Sequence, residues 1–131
     1  MIGLDTNVLV RYAAQDDPKQ TPKARRLLES LTPSDRGYVS LVTIVELYWV
    51  MTSCYAATKG EICNLLETLL RTKEITVAHA DVVWKSVRQF RDGGVDLADC
   101  LIARDAEDAG CSYTSTFDRN AAKYCGMQLI E

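Results

Sequence analysis

The sequence predicts an α/β fold with a parallel sheet covered on both faces. Three observations lead there. Short apolar runs alternate with longer stretches of helical periodicity, the arrangement that builds parallel sheets through crossover helices. The helical stretches stop at clear breakers: Asp16-Asp17-Pro18, Gly93-Gly94 and Gly110. No internal repeat, low-complexity segment or Gly/Ser linker divides the 131 residues, so one domain over 1–131 is expected.

The elements follow in order. Met1 to Leu4 reads as a strand ending at Asp5, with Thr6-Asn7 leading into a short helix from Val8 to Ala13. Thr21-Pro22 starts a second helix, with Thr21 as N-cap, Pro22 in the first turn and Ala24, Leu27, Leu28 and Leu31 as its apolar stripe. Tyr38 to Ser40 is a second strand. Leu41 to Met51 is almost wholly apolar, and its length and its mix of Leu, Glu and Met favour a buried helix over a strand. Lys59 to Arg71 is amphipathic, and Ile75 to Val77 is a third strand. Ala80 to Arg91 carries Val83, Trp84, Val87 and Phe90 at helical spacing, and Asp96 to Ala109 forms the next helix. Ser112 to Thr116, Arg119 to Tyr124 and Met127 to Ile130 read as strand, short helix and strand. Right-handed crossovers then bring the loops after the strands to a shared edge.

Composition narrows the class. Apolar residues make up 47% and charged residues 25%, ordinary for a globular protein. No apolar run reaches the roughly 20 residues of a membrane span, and a first strand at Met1 leaves no room for a signal peptide. A cytoplasmic protein with no membrane association is the expectation. Five cysteines without a Cys-x-x-Cys pair and a single histidine, His79, do not make a zinc pattern; most of the thiols should pack as small apolar groups. The net charge of −3 neither favours nor excludes a nucleic-acid substrate, because four acids in unusual places account for it.

Those four are Asp5, Glu46, Asp99 and Asp118. Asp5 stands at the C-terminal edge of the first strand, where open α/β sheets bind ligands; Asp-Thr-Asn is also a good turn sequence, so a capping role stands beside the catalytic one. Glu46 lies inside an apolar helix, where an unpaired ionised carboxylate is costly to bury. It either points out at the helix edge beside Thr43 or faces a polar cleft where a cation keeps it ionised. Asp96 and Asp99 bracket a helix start, with Asp96 a ready N-cap and Asp99 suited to the helix dipole. Asp118 follows a strand and can also cap the next helix. Gathered together, such carboxylates repel strongly unless cations offset them. Oxygen donors without His or Cys select Mg²⁺ or Mn²⁺, which activate water and steady the leaving oxygen of a phosphodiester. Thr6, Asn7, Ser115 and Thr116 are placed to orient the carboxylates by hydrogen bonds, with Asp96 mainly structural. Arg11, Arg104, Arg119 and Lys123 are candidates for steering phosphate, against the plainer reading of solvated helix faces.

Leu4-Asp5-Thr6-Asn7-Val8-Leu9, Glu46 in its apolar helix, Asp96-Leu97-Ala98-Asp99-Cys100-Leu101-Ile102-Ala103 and Thr116-Phe117-Asp118-Arg119 resemble, in order, the motifs of the PIN-domain ribonucleases. Within them the chain is similar to the VapC toxins of toxin–antitoxin pairs. The resemblance covers essentially the whole chain. It implies a three-layer α/β/α sandwich with a central parallel sheet of four to five short strands, and Mg²⁺-dependent cleavage of single-stranded or looped RNA. It also implies a homodimer and neutralisation by a VapB-like antitoxin. Carried over by motif, Asp5, Glu46, Asp99 and Asp118 are the metal-binding catalytic acids. Leu97 stands where the family often has an aromatic residue, and Asp118 matches the most variable of the four. Trp49, Tyr48 and the Leu-rich face of the 59–71 helix offer apolar area for either the core or a dimer surface.

Two other classes fit the residues less well. A haloacid-dehalogenase-like phosphatase wants a second Asp where this chain has Asn7, and a response-regulator receiver wants an Asp after the third strand, where Ile75-Thr76-Val77-Ala78 offers none. The other rival is a non-catalytic module binding RNA or a protein, its acids serving only as caps.

Overall fold

The computed structural model describes all residues, 1–131. The chain divides into two compact units, Met1–Ala78 and His79–Glu131. The first runs β1 (Ile2–Gly3), α1 (Thr6–Ala14), α2 (Gln20–Glu29), β2 (Gly37–Val39), α3 (Leu41–Tyr55), α4 (Lys59–Arg71) and β3 (Ile75–Val77). Its three strands form one parallel sheet in the order β1-β2-β3, with Ile2 opposite Gly37 and Gly37 opposite Ile75. The ladder continues past the strand ends, Leu4 N–H donating to the Tyr38 carbonyl at 2.9 Å and Ala78 N–H to the Val39 carbonyl at 2.8 Å. All three exits therefore open on one edge. A Cβ at Gly37 would lie 2.7 Å from Leu4 Cδ1 and 2.9 Å from Leu31 Cδ1. The strand is thus kept bare where two leucines close over it.

The second helix starts differently from expectation. Thr21 is buried, its hydroxyl donating to the Arg11 carbonyl, while Asp17 accepts from the N–H groups of Lys19 and Gln20 at 2.9 and 2.7 Å. The helix already begins at Gln20, with Lys19 at the cap position and no side-chain cap, so Thr21 lies inside the first turn and Asp17 ties the turn before it. In α3, Thr43, Ile44, Leu47 and Tyr48 are buried, whereas Val42 and Trp49 are 69% and 46% exposed. Although nearly every residue of this helix is apolar, it buries a single stripe. Tyr48 goes to the core and Trp49 to the surface. Helix α4 keeps its expected bounds, fixed by a capping box in which Thr58 and Glu61 serve each other's backbone amides.

The second unit runs α5 (Ala80–Asp92), α6 (Leu97–Asp108), β4 (Ser115–Thr116), α7 (Arg119–Cys125) and β5 (Gln128–Leu129). Strands β4 and β5 pair in parallel, Ser115 opposite Gln128. Val83, Val87 and Phe90 of α5 and Leu97, Cys100 and Leu101 of α6 are buried, and these two helices pack together. Gly110, at φ +94°, ends α6 in a conformation that side chains rarely adopt. Gln89 donates to the Tyr124 carbonyl at 2.7 Å and Arg104 to the Cys125 carbonyl at 3.1 Å, fixing the end of α7. Five strands are present, all in parallel pairs, three hydrogen-bonded in the first unit and two in the second. The fold is α/β, as the alternation of strands and helices indicated. No helix is long and apolar enough to cross a membrane.

Candidate active site

In the first unit, the site begins where β1 ends. Leu4 is buried and Asp5 is exposed, since the chain turns there from sheet into helix. Asp5 is the N-cap of α1, its Oδ1 accepting from the Thr6 amide at 2.9 Å. Thr6 is buried, and its hydroxyl donates to Glu46 Oε1 at 2.7 Å. One residue thus links the acid after β1 to the acid on α3, across forty positions of sequence. Glu46 itself is exposed, on the face that also presents Val42 and Trp49. Its ionised state costs little there, so the burial argument for a cation at this residue does not apply. Neither Asp5 nor Glu46 has a cationic side chain as partner.

Asn7 and Arg11 serve each other's neighbourhood and not Asp5 or Glu46. Asn7 Nδ2 and Arg11 Nε both donate to Gln20 Oε1, at 3.3 and 2.8 Å. Arg11 also reaches Asp16 and the Tyr55 hydroxyl, each at 3.3 Å. Its guanidinium ties α1 to α2 and α3, which leaves few of its donors for phosphate.

In the second unit, the charges of Asp96 and Asp118 are felt at Asp99. Asp96 is the N-cap of α6 and accepts from the Asp99 amide at 2.8 Å. Asp99, in the first turn, is half-buried, and its carboxylate has no hydrogen-bond donor and no cationic partner. Burial foremost, then the charges of Asp96 and Asp118, hold its carboxyl above the usual aspartate range. Asp118 caps α7, accepting from Asn120 and Ala121 amides at 2.8 and 3.2 Å through one oxygen, Oδ1. Thr116 Oγ1 accepts from the Asp118 amide at 3.0 Å, while Ser115 is exposed on β4. Asp96 and Thr116 therefore act on backbone, orienting the acids by fixing the turns that carry them.

The four cations divide evenly. Arg104 is held by Gln89, the Cys125 carbonyl and Glu107, so like Arg11 it is a packing residue. Arg119 is exposed without an acidic partner, and Lys123 lies 5.2 Å above the Tyr124 ring. Thr116-Phe117-Asp118-Arg119 also contains a feature that sequence reading passed over: Phe117 is 79% exposed. The signal was an aromatic residue set between polar turn residues.

The donor chemistry fits a hard divalent cation. Every candidate ligand is a carboxylate, and Asp99 sits in uncompensated negative potential that a cation would relieve. Softer ligands are withheld: burial above all pushes the Cys100 thiol up to about 12, so it stays protonated. His79 faces Asp108 at 3.9 Å. Within neither unit do three Asp, Glu, His or Cys side chains gather around one point as a metal cage.

The PIN domain family model matches residues 2–127, which spans both units. The chain belongs to the PIN-domain family. A comparison with curated proteins finds no match. PIN domains are typically nucleases and generally use divalent metals, so family membership and the carboxylate donor set point to the same chemistry.

Proposed function

We propose that this PIN domain is a metal-dependent endoribonuclease of the VapC toxin type, with Asp5, Glu46, Asp99 and Asp118 holding Mg²⁺ or Mn²⁺. The observation that carries the reading is Asp99: a half-buried carboxylate with no partner, within reach of the charges of Asp96 and Asp118, in a chain of a nuclease family. When bound, the ion neutralises charge, polarises the scissile phosphate and lowers the pKa of water. The chain's own contribution is positioning. Thr6 fixes the Glu46 carboxylate, and Asp96 locks the first turn of α6 that carries Asp99. Asp118 spends one oxygen on capping and keeps the other. Arg119 and Lys123 supply exposed positive charge for the RNA backbone.

On this reading the protein works in the cytoplasm, is neutralised by a VapB-like antitoxin and forms a homodimer, for which exposed Val42 and Trp49 on α3 offer apolar area. A second reading is favoured by one observation: Asp5, Asp96 and Asp118 all cap helices, which suits a non-catalytic RNA- or protein-binding module. Cleavage of single-stranded RNA in Mg²⁺ or Mn²⁺ separates the two. The nuclease reading expects cutting that EDTA, Asp5→Ala and Asp99→Asn each abolish, and a melting temperature that rises with added Mn²⁺ in the wild type but not in Asp99→Asn. Cutting that survives EDTA, or no cutting with any divalent ion, discards it.

A further inference from the structure

Phe117 is the most exposed large apolar side chain of the protein, at 79%. Water disfavours such exposure, and a turn ordinarily places polar residues at its tip. This turn is rigid. The Thr116 hydroxyl accepts from the Asp118 amide, and the Asp118 carboxylate accepts from Asn120 and Ala121, so both flanks of Phe117 are fixed by hydrogen bonds. Behind it, Thr116 is tied into the β4–β5 ladder, its carbonyl accepting from the Ile130 amide at 2.8 Å. The backbone on either side of the exposed ring is thus hydrogen-bonded in place. Next to it in sequence stand Asp118, a proposed catalytic acid, and Arg119, an exposed guanidinium with no acidic partner.

We propose that Phe117 is a stacking platform for an unpaired base of the RNA, beside the phosphate that Arg119 attracts. The inference rests on the nuclease reading and adds to it how the substrate is held. An aromatic face next to a free cation is the pairing that single-stranded nucleic acid requires, one partner for the base and one for the backbone. A rigid platform needs little ordering on binding, so most of the stacking is retained as affinity. Because any base presents a π-face, Phe117 selects for unpaired RNA and not for a particular letter.

The test is single-turnover cleavage of a single-stranded RNA in Mg²⁺ over a range of protein concentrations, using wild type, Phe117→Ala and Phe117→Trp. Phe117→Ala should raise the half-saturating concentration about tenfold, the loss expected of one stacked base, and Phe117→Trp should restore it. Binding of an abasic oligonucleotide of the same length, followed by fluorescence anisotropy, should be the same for all three proteins, since it offers phosphates without bases. Melting curves should coincide, because an exposed ring contributes little to the core. A wild type that cuts RNA beside a Phe117→Ala protein of equal half-saturation overturns the inference and spares the nuclease. A wild type that neither binds nor cuts overturns the nuclease reading and this inference with it. If Phe117→Ala instead converts a dimer to a monomer by light scattering, with RNA affinity unchanged, the ring belongs to a protein interface and the inference fails.

Discussion

Glu46 and Asp99 carry the same functional group into opposite conditions. Glu46 sits on the outer face of α3, exposed and steadied by the Thr6 hydroxyl. Asp99 sits in the first turn of α6, half-buried and without a partner, against Asp96 and Asp118. The difference lies in solvation. Water screens the first charge, so it needs only orientation; the second is stripped of part of its hydration and has only the α6 dipole in its favour. The second unit therefore carries the electrostatic strain, while in the first a single hydrogen bond holds a solvated carboxylate.

The largest expected effect tests that strain directly. Asp99→Asn should lower RNA cleavage by at least about a hundredfold, as for loss of a group close to a metal, while raising the melting temperature in EDTA because a repelling charge is gone. Cleavage kinetics and calorimetry on the same preparation read both. A lower melting temperature would break the comparison. Next comes Thr6→Val, nearly isosteric, which removes the bond to Glu46. Cleavage should fall roughly tenfold to a hundredfold, with stability changing by about 1 kcal/mol or less because Glu46 remains solvated. A much larger loss of stability would show that the Thr6–Glu46 bond holds the fold together as well as orienting the carboxylate.

Smaller effects come from the caps. Thr58→Ala opens the α4 capping box and should cost about 1 kcal/mol by chemical denaturation without altering cleavage. The smallest concerns pH. The amides of Gln20, then Lys19, lower the Asp17 carboxyl below its usual range, and the Thr58 amide does the same to Glu61. A lowered folded-state pKa means stabilisation present above the unfolded value, near 4, and lost as pH falls through the folded one. Asp99 has the opposite sign: its folded pKa is raised, so its penalty fades as pH falls. Without metal, the Asp17→Asn protein should show a flatter loss of melting temperature between about pH 5 and pH 2 than wild type, and Asp99→Asn a steeper one.

The boundaries of α4 and β3 were legible in the sequence because local signals agree there: amphipathic spacing in the helix and a β-branched run in the strand. The capping roles of Asp96 and Asp118 were legible for the same reason, since a cap acts on amides two or three residues away. Thr21 shows the limit. Its Thr-Pro pattern suits a cap, yet the helix begins one residue earlier, at Gln20, and Thr21 is buried within the first turn. Arg11 and Arg104 read in the sequence as candidates for steering phosphate, whereas in the fold they bond to Tyr55 and Cys125, which lie far along the chain.

Residue order alone determined the α/β class, the parallel pairing and the acids that cap helices, because periodicity, caps and breakers are local in origin. Tertiary structure alone decided that Thr6 grips Glu46, that Asp99 is left without a partner, and that Phe117 faces water. Each of these depends on distant groups and on solvation, neither of which a linear pattern encodes.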